Sequence, residues 1–170
     1  HNGNLTNAIK LRKKMVQEGS IFYTTSDTET IVKLIARSKR SKTVDRVIDA
    51  LFQIQGGYAL VVLTQNILIG ARDPFGIRPL VIGKLKSSYV LASETCALDI
   101  IGAKYIRDVE NGEIVCIEDG KLQSIKPFPQ KKIRPCVFEY IYFSRPDSSI
   151  GGKQHMNIEK ILVENLQKKT

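Results

Sequence analysis

The chain has 170 residues, 42% of them hydrophobic, and a formal net charge of +9. That length and composition support one domain with a real core and exclude a disordered chain. No apolar run approaches the ~20 residues of a membrane span, and the polar start is unlike a signal peptide, so no membrane partner and a cytoplasmic address are expected.

In chain order, Leu5, Ala8, Leu11 and Met15 recur at helical spacing before Gly19, which predicts a helix over 5–18 with Asn4 as its cap. Ser26-Asp27-Thr28-Glu29 reads as a capping box opening a second helix through Ile31, Leu34 and Ile35. A third helix is predicted through Val44, Val47, Ile48, Leu51 and Ile54, ending at Gly56-Gly57. From there the pattern changes to short apolar runs at 58–64, 67–71, 80–82 and 89–92, each bounded by turn residues and each read as a strand. A short helix over 94–101 follows, then a hairpin of 114–118 and 121–125 around Asp119-Gly120. The β-branched and aromatic residues of 137–143 predict another strand. Ser148 to Lys153, with its Gly pair, is read as a domain boundary, and Ile158, Ile161, Leu162 and Leu166 as a helix beyond it. Helices first and meandering strands afterwards make an α+β pattern rather than alternating βαβ units.

The positive charge concentrates at Arg37 to Lys42 and Lys131 to Arg134. No RNA-binding aromatic signature or helix-turn-helix pattern accompanies these runs, so they are read as solvated helix ends and loops, and no nucleic-acid partner is expected. The three cysteines, Cys96, Cys116 and Cys136, are widely spaced and odd in number. They argue against a disulfide framework and a self-contained zinc site, and for a reducing compartment. Cys96 and Cys116 lie among apolar neighbours and read as buried structural thiols.

Five ordered motifs stand out: His1-Asn2-Gly3-Asn4-Leu5-Thr6-Asn7, Thr24 to Asp27, Arg72-Asp73-Pro74-Phe75-Gly76-Ile77-Arg78-Pro79-Leu80, Ser93 to Asp99, and Phe138 to Ser148. Together they resemble the amidophosphoribosyltransferase family, whose glutamine amidotransferase domain is of class II. The resemblance covers about the first 150 residues, a single-domain length. It implies an αββα four-layer sandwich of the N-terminal nucleophile hydrolase type, present here as a partial domain. Residues 1–150 would be the C-terminal part of that glutaminase domain, and 151–170 a linker and helix leading to a phosphoribosyltransferase domain outside this sequence.

The implied activity is hydrolysis of glutamine to ammonia, which then converts phosphoribosyl pyrophosphate to 5-phosphoribosylamine in the first step of purine biosynthesis. Amide hydrolysis through a thiolate needs donors aimed at the oxygen that turns negative. An Asn amide and a Gly backbone N–H suit that task, and the resemblance assigns it to Asn2 and Gly3. An isolated Asn-Gly is otherwise a turn signal. Asp27 matches the family residue that takes the glutamine ammonium, and it is also a helix-start carboxylate favoured by the macrodipole. The family's nucleophilic cysteine and its carboxylate-binding arginine lie upstream of His1, so this sequence by itself is expected to be inert. His1 reads as an orienting or packing residue, and Arg72 to Leu80 as a structural turn.

Cys136 matches one ligand of the iron–sulfur cluster carried by some family members. A cluster needs four ligands, the other three of which the family takes from its second domain, as it does magnesium. The resemblance also implies a homo-oligomer at full length. Two rivals remain: the glucosamine-6-phosphate synthase glutaminase, which shares the His-Asn-Gly segment, and a non-catalytic glutamine-binding module or partner subunit.

Overall fold

The computed structural model describes residues 1–129 and 131–139, together with the backbone of two short strands at 149–150 and 153–154. The chain divides into two compact units, His1–Tyr58 and Ala59–Thr170.

The first unit contains β1 (Asn2–Leu5), α1 (Ala8–Gln17), α2 (Asp27–Arg37), α3 (Thr43–Leu51) and the opening residues of β2 (Gly56–Leu63). The first helix starts later than its apolar spacing predicts, because Asn2 to Leu5 are extended and the Thr6 N–H donates to the Gln55 carbonyl at 2.8 Å. Asn4 is therefore not its cap. Asn7 holds the cap position, but its side chain instead donates to the Gln53 carbonyl and accepts from the Gln55 N–H, both at 2.9 Å. The helix ends as expected at Gly19, where φ is +88° and the N–H groups of Gly19 and Ser20 return to the Val16 and Met15 carbonyls. This is a Schellman closure, in which glycine takes the left-handed position without a Cβ penalty.

Ser26 caps α2, its hydroxyl accepting the Thr28 N–H at 3.2 Å. The reciprocal half of the capping box is not formed: Glu29 turns to the Tyr23 and Thr24 N–H groups at 2.9 and 2.8 Å. Those bonds, with Tyr23 first, hold the Glu29 carboxyl below its usual range despite the opposing effect of burial. The third helix stops at Leu51, short of the expected Gly56, which instead begins β2. Met15, Ile31, Leu34, Val47, Ala50 and Leu51 turn inward to form the core of this unit, as helical periodicity requires.

The second unit contains the rest of β2, then β3 (Ile67–Arg72), β4 (Val81–Leu85), β5 (Ser88–Ala92), α4 (Thr95–Ile100), β6 (Lys104–Asp108), β7 (Ile114–Glu118) and β8 (Lys121–Ile125). One antiparallel sheet runs β2-β3-β7-β8, and a second runs β5-β4-β6. Ala59, Leu80, Ile82, Val109 and Val115 make one core cluster, to which both sheets contribute. The next residue over, Val81, packs with Leu98 and Ala103 in a second cluster that includes α4. Successive strand residues point to opposite faces, so β4 serves both cores and this unit is layered as sheet, sheet, helix. Leu98 is completely buried, a contribution of about 1.5–3 kcal/mol.

The β7–β8 hairpin lies where its Asp-Gly turn predicts, with Asp119 and Gly120 both at positive φ (48° and 71°), the requirement of a type I′ turn. Strand β6 was not anticipated. The strand predicted over 137–143 is not found where the chain is described, since 137–139 form a helical turn; the remainder of it, and the helix expected after 157, lie outside the described residues. Strands β9 (Ser149–Ile150) and β10 (Lys153–Gln154) pair antiparallel.

Candidate functional site

Strand β1 exists because two glycines let two backbones approach. Gly3 has φ +130° and Gly56 φ +132°, and each occupies space that a side chain would need. A Cβ on Gly3 would run into the Gly57 carbonyl, and one on Gly56 into the Asn4 carbonyl. The Asn2-Gly3 segment is thus laid flat against the start of β2, its extended conformation set by close packing rather than by β-propensity.

Asp27, the first residue of α2, brackets this strand. Its Oδ2 accepts the Leu5 N–H at 3.0 Å, and its Oδ1 lies 3.4 Å from His1 Nδ1. The His1 ring, 4% exposed, also meets Thr28 Oγ1 at 2.9 Å. One carboxylate therefore touches both sides of Asn2-Gly3, and its side chain keeps 21% exposure. A partly exposed anion here suits recognition of an ammonium. The structure brings Asn2, Gly3 and Asp27 together within the first unit. Sequence reasoning missed Gly56 and Thr28, although paired glycines fifty residues apart are a usable signal for close strand contact.

Cys136 belongs to the second unit and is half-buried; Cys96 and Cys116 are buried free thiols in α4 and β7. Burial pushes the Cys116 thiol up, with Glu118 adding to it, which makes it a poor nucleophile. Among the described residues no group of three His, Cys, Asp or Glu side chains could hold a metal ion.

The segment Arg72 to Leu80 is a self-bonded turn. Asp73, fully buried, accepts the Phe75 and Ile77 N–H groups at 2.9 Å each. Arg72 donates to the carbonyls of Arg78 (2.8 Å) and Val109 (2.9 Å). The segment before Glu139 straps onto this turn: the N–H groups of Arg134 and Cys136 reach the Phe75 and Ile77 carbonyls at 2.8 and 3.3 Å. Arg78 then pairs with Glu139 at 2.7 Å. Burial pushes the Glu139 carboxyl up, against the pull of Arg78.

A second buried carboxylate, Glu113, sits in the same unit. It takes both arms of Arg107 at 2.7 and 2.8 Å, the Ser124 hydroxyl at 2.6 Å and the Glu110 N–H at 2.6 Å. Burial acts to raise its pKa, but these donors together hold it at about 2.

The profile of the glutamine amidotransferase domain matches residues 1–99. The amidophosphoribosyltransferase of Rhizobium etli is 50% identical over 175 aligned residues, covering 100% of this chain and 35% of that protein. The Bacillus subtilis enzyme of the same name is 44% identical, covering 96% and 35%. Among solved structures, the glutamine phosphoribosylpyrophosphate amidotransferase of B. subtilis, complexed with ADP and GMP, superposes with a TM-score of 0.88 at 45% identity. It covers 91% of this chain and 34% of that one. A structure described as the allosteric regulatory enzyme of purine biosynthesis gives 0.86 at 46% identity, covering 91% and 33%. The α+β sandwich of the N-terminal nucleophile glutaminases is therefore the fold, and the chain spans about a third of the length of the relatives it matches. With its matched domain, its identity to these enzymes and the Asn2-Gly3 strand bracketed by Asp27, the chain belongs to the glutamine amidotransferase family.

Proposed function

We propose that this chain is the C-terminal part of the glutaminase domain of an amidophosphoribosyltransferase, with the boundary of that domain near residue 150. In the complete enzyme a cysteine thiolate attacks the side-chain amide of glutamine, and the carbonyl oxygen becomes an oxyanion. The Asn2 side-chain N–H and the Gly3 backbone N–H donate to it, while Asp27 receives the α-ammonium. Ammonia leaves, water cleaves the thioester to glutamate, and the ammonia displaces pyrophosphate from phosphoribosyl pyrophosphate to give phosphoribosylamine for purine synthesis. A cytoplasmic homo-oligomer is the setting of this reading.

The observation that supports it most is the bracketing of Asn2-Gly3 by one carboxylate whose side chain keeps 21% exposure. Donors held before the reaction starts need no reorganisation when charge develops. As for cofactors, the family resemblance implies magnesium and, through Cys136, an iron–sulfur cluster. Of the three thiols, Cys96 and Cys116 are buried and Cys136 alone is half-buried, and among the described residues no three ligating side chains gather, so these residues do not by themselves fit either group.

The test is Asn2→Ala in the full-length protein. Glutamine-dependent turnover should fall about 10²–10³-fold, the usual effect of losing one oxyanion donor, while synthesis driven by added ammonium is retained. Turnover within a few-fold of the parent would remove Asn2 from the role.

A further inference from the structure

A cavity of about 420 Å³ lies among the three helices of the first unit. Its floor is apolar, from Leu11, Met15 and Leu34, and its rim carries four cations, Lys14, Arg37, Lys39 and Arg40, against the carboxylates of Glu18 and Asp49. The charges are not evenly matched. Glu18 is taken by Arg37 at 2.5 Å, with Lys14 at 4.0 Å, and Arg37 is further fixed by the Ser20 hydroxyl. Asp49 accepts the Ser38 hydroxyl at 2.7 Å. Arg40 uses only its backbone, receiving the Arg46 guanidinium on its carbonyl. The side chains of Lys39 and Arg40 have no partner among the described residues and stand exposed at the mouth.

We propose that this cleft is a binding site for a small organic phosphate monoester. Two uncompensated cations side by side match a dianion better than a single carboxylate, and an arginine fork meets phosphate through two parallel hydrogen bonds. The apolar floor distinguishes the ligand from inorganic phosphate, because it offers surface to a ring or aliphatic body once the anion is anchored at the rim. The volume lies in the range of small-molecule sites. Nothing in this inference depends on the glutaminase reading, since none of these residues belongs to the Asn2, Gly3 and Asp27 site.

The probe is phenyl phosphate, and the readout is local to the cleft: the rate at which an amine-reactive ester labels Lys39 in the full-length protein, followed by peptide mass spectrometry. Lys13, exposed on α1 and outside the cavity lining, is the internal control. At about 10 mM probe and a Kd near 1 mM, occupancy of ~90% slows labelling of Lys39 by about tenfold and leaves Lys13 unchanged. Arg40→Ala, an exposed change outside the core, should abolish most of that protection, and inorganic phosphate at the same concentration should protect far less. Unprotected Lys39, protection that survives Arg40→Ala, or equal protection by inorganic phosphate would each overturn the proposal.

Discussion

Asp27 and Glu113 are both acidic residues that gather donors, yet they sit in opposite circumstances. Glu113 is fully buried and receives four hydrogen bonds from three side chains or backbone groups on different segments. Its lone pairs are saturated, so it can hold β6, β7 and β8 in register but has nothing left to offer a ligand. Asp27 receives one backbone N–H, lies near one imidazole, and keeps part of its surface. A carboxylate with spare acceptor capacity beside a strand that glycines hold in close contact is arranged for recognition; one without it is arranged for stability.

Breaking the recognition side at its backbone should produce the largest effect. Gly3→Ala forces an alanine to φ +130° and drives its Cβ into the Gly57 carbonyl, costing more than about 3 kcal/mol. Thermal unfolding of the full-length variant would show a large drop in Tm together with loss of glutaminase activity; a stable, active variant would mean that β1 is free to move away from β2.

On the saturated side, Glu113→Gln leaves Arg107 without its charged partner and should cost on the order of 3 kcal/mol in denaturant unfolding. The pH dependence carries a signature. The Glu113 carboxyl is depressed from 4.5 to about 2, so its contribution is fully present above about pH 4.5 and is lost as pH falls toward about 2. The parent should lose stability across that window more steeply than Glu113→Gln. Parallel acid titrations would show that the network contributes little.

Asp27→Asn is expected to separate the two roles. The Leu5 N–H keeps a neutral acceptor, so stability should fall by only about 1 kcal/mol, whereas the KM for glutamine should rise at least about tenfold with ammonia-dependent synthesis intact. Equal loss of both activities would assign Asp27 to structure, as for Glu113. The smallest effect should come from Ser26→Ala, which removes the α2 cap next door and costs about 1 kcal/mol with glutamine use unchanged.

How much of this was legible beforehand depended on whether a signal was local. The β7–β8 hairpin and the Ser26 start of α2 are written in two to four adjacent residues, and both stand where the sequence puts them. Strand β6, Lys104-Tyr105-Ile106-Arg107-Asp108, was missed because three of its five residues are charged and its two apolar residues are adjacent and exposed, leaving no apolar alternation to read. Strand β1 was misread as the approach to a helix, since its pairing comes from Gly56, about fifty residues away, rather than from its own composition. Asn2, Gly3 and Asp27 were found through the motifs around them. Glu113 was not, because its partners come from β6, β8 and the turn before β7, and only the folded chain assembles them.

The order of strands has a consequence for how the molecule is made. Strand β3 pairs with β7, but β4, β5, α4 and β6 lie between them in sequence. Closing that pair early would mean restricting a loop of more than forty residues, whose entropy grows with length. If the intervening sheet and helix condense first, the ends arrive already close. The β7–β8 hairpin, with its self-contained Asp-Gly turn, can form at once, while its docking on β3 must wait. Refolding should therefore be slow for a domain of this size, with the newly exposed edge of β3 as the interval's weakest point for misassociation.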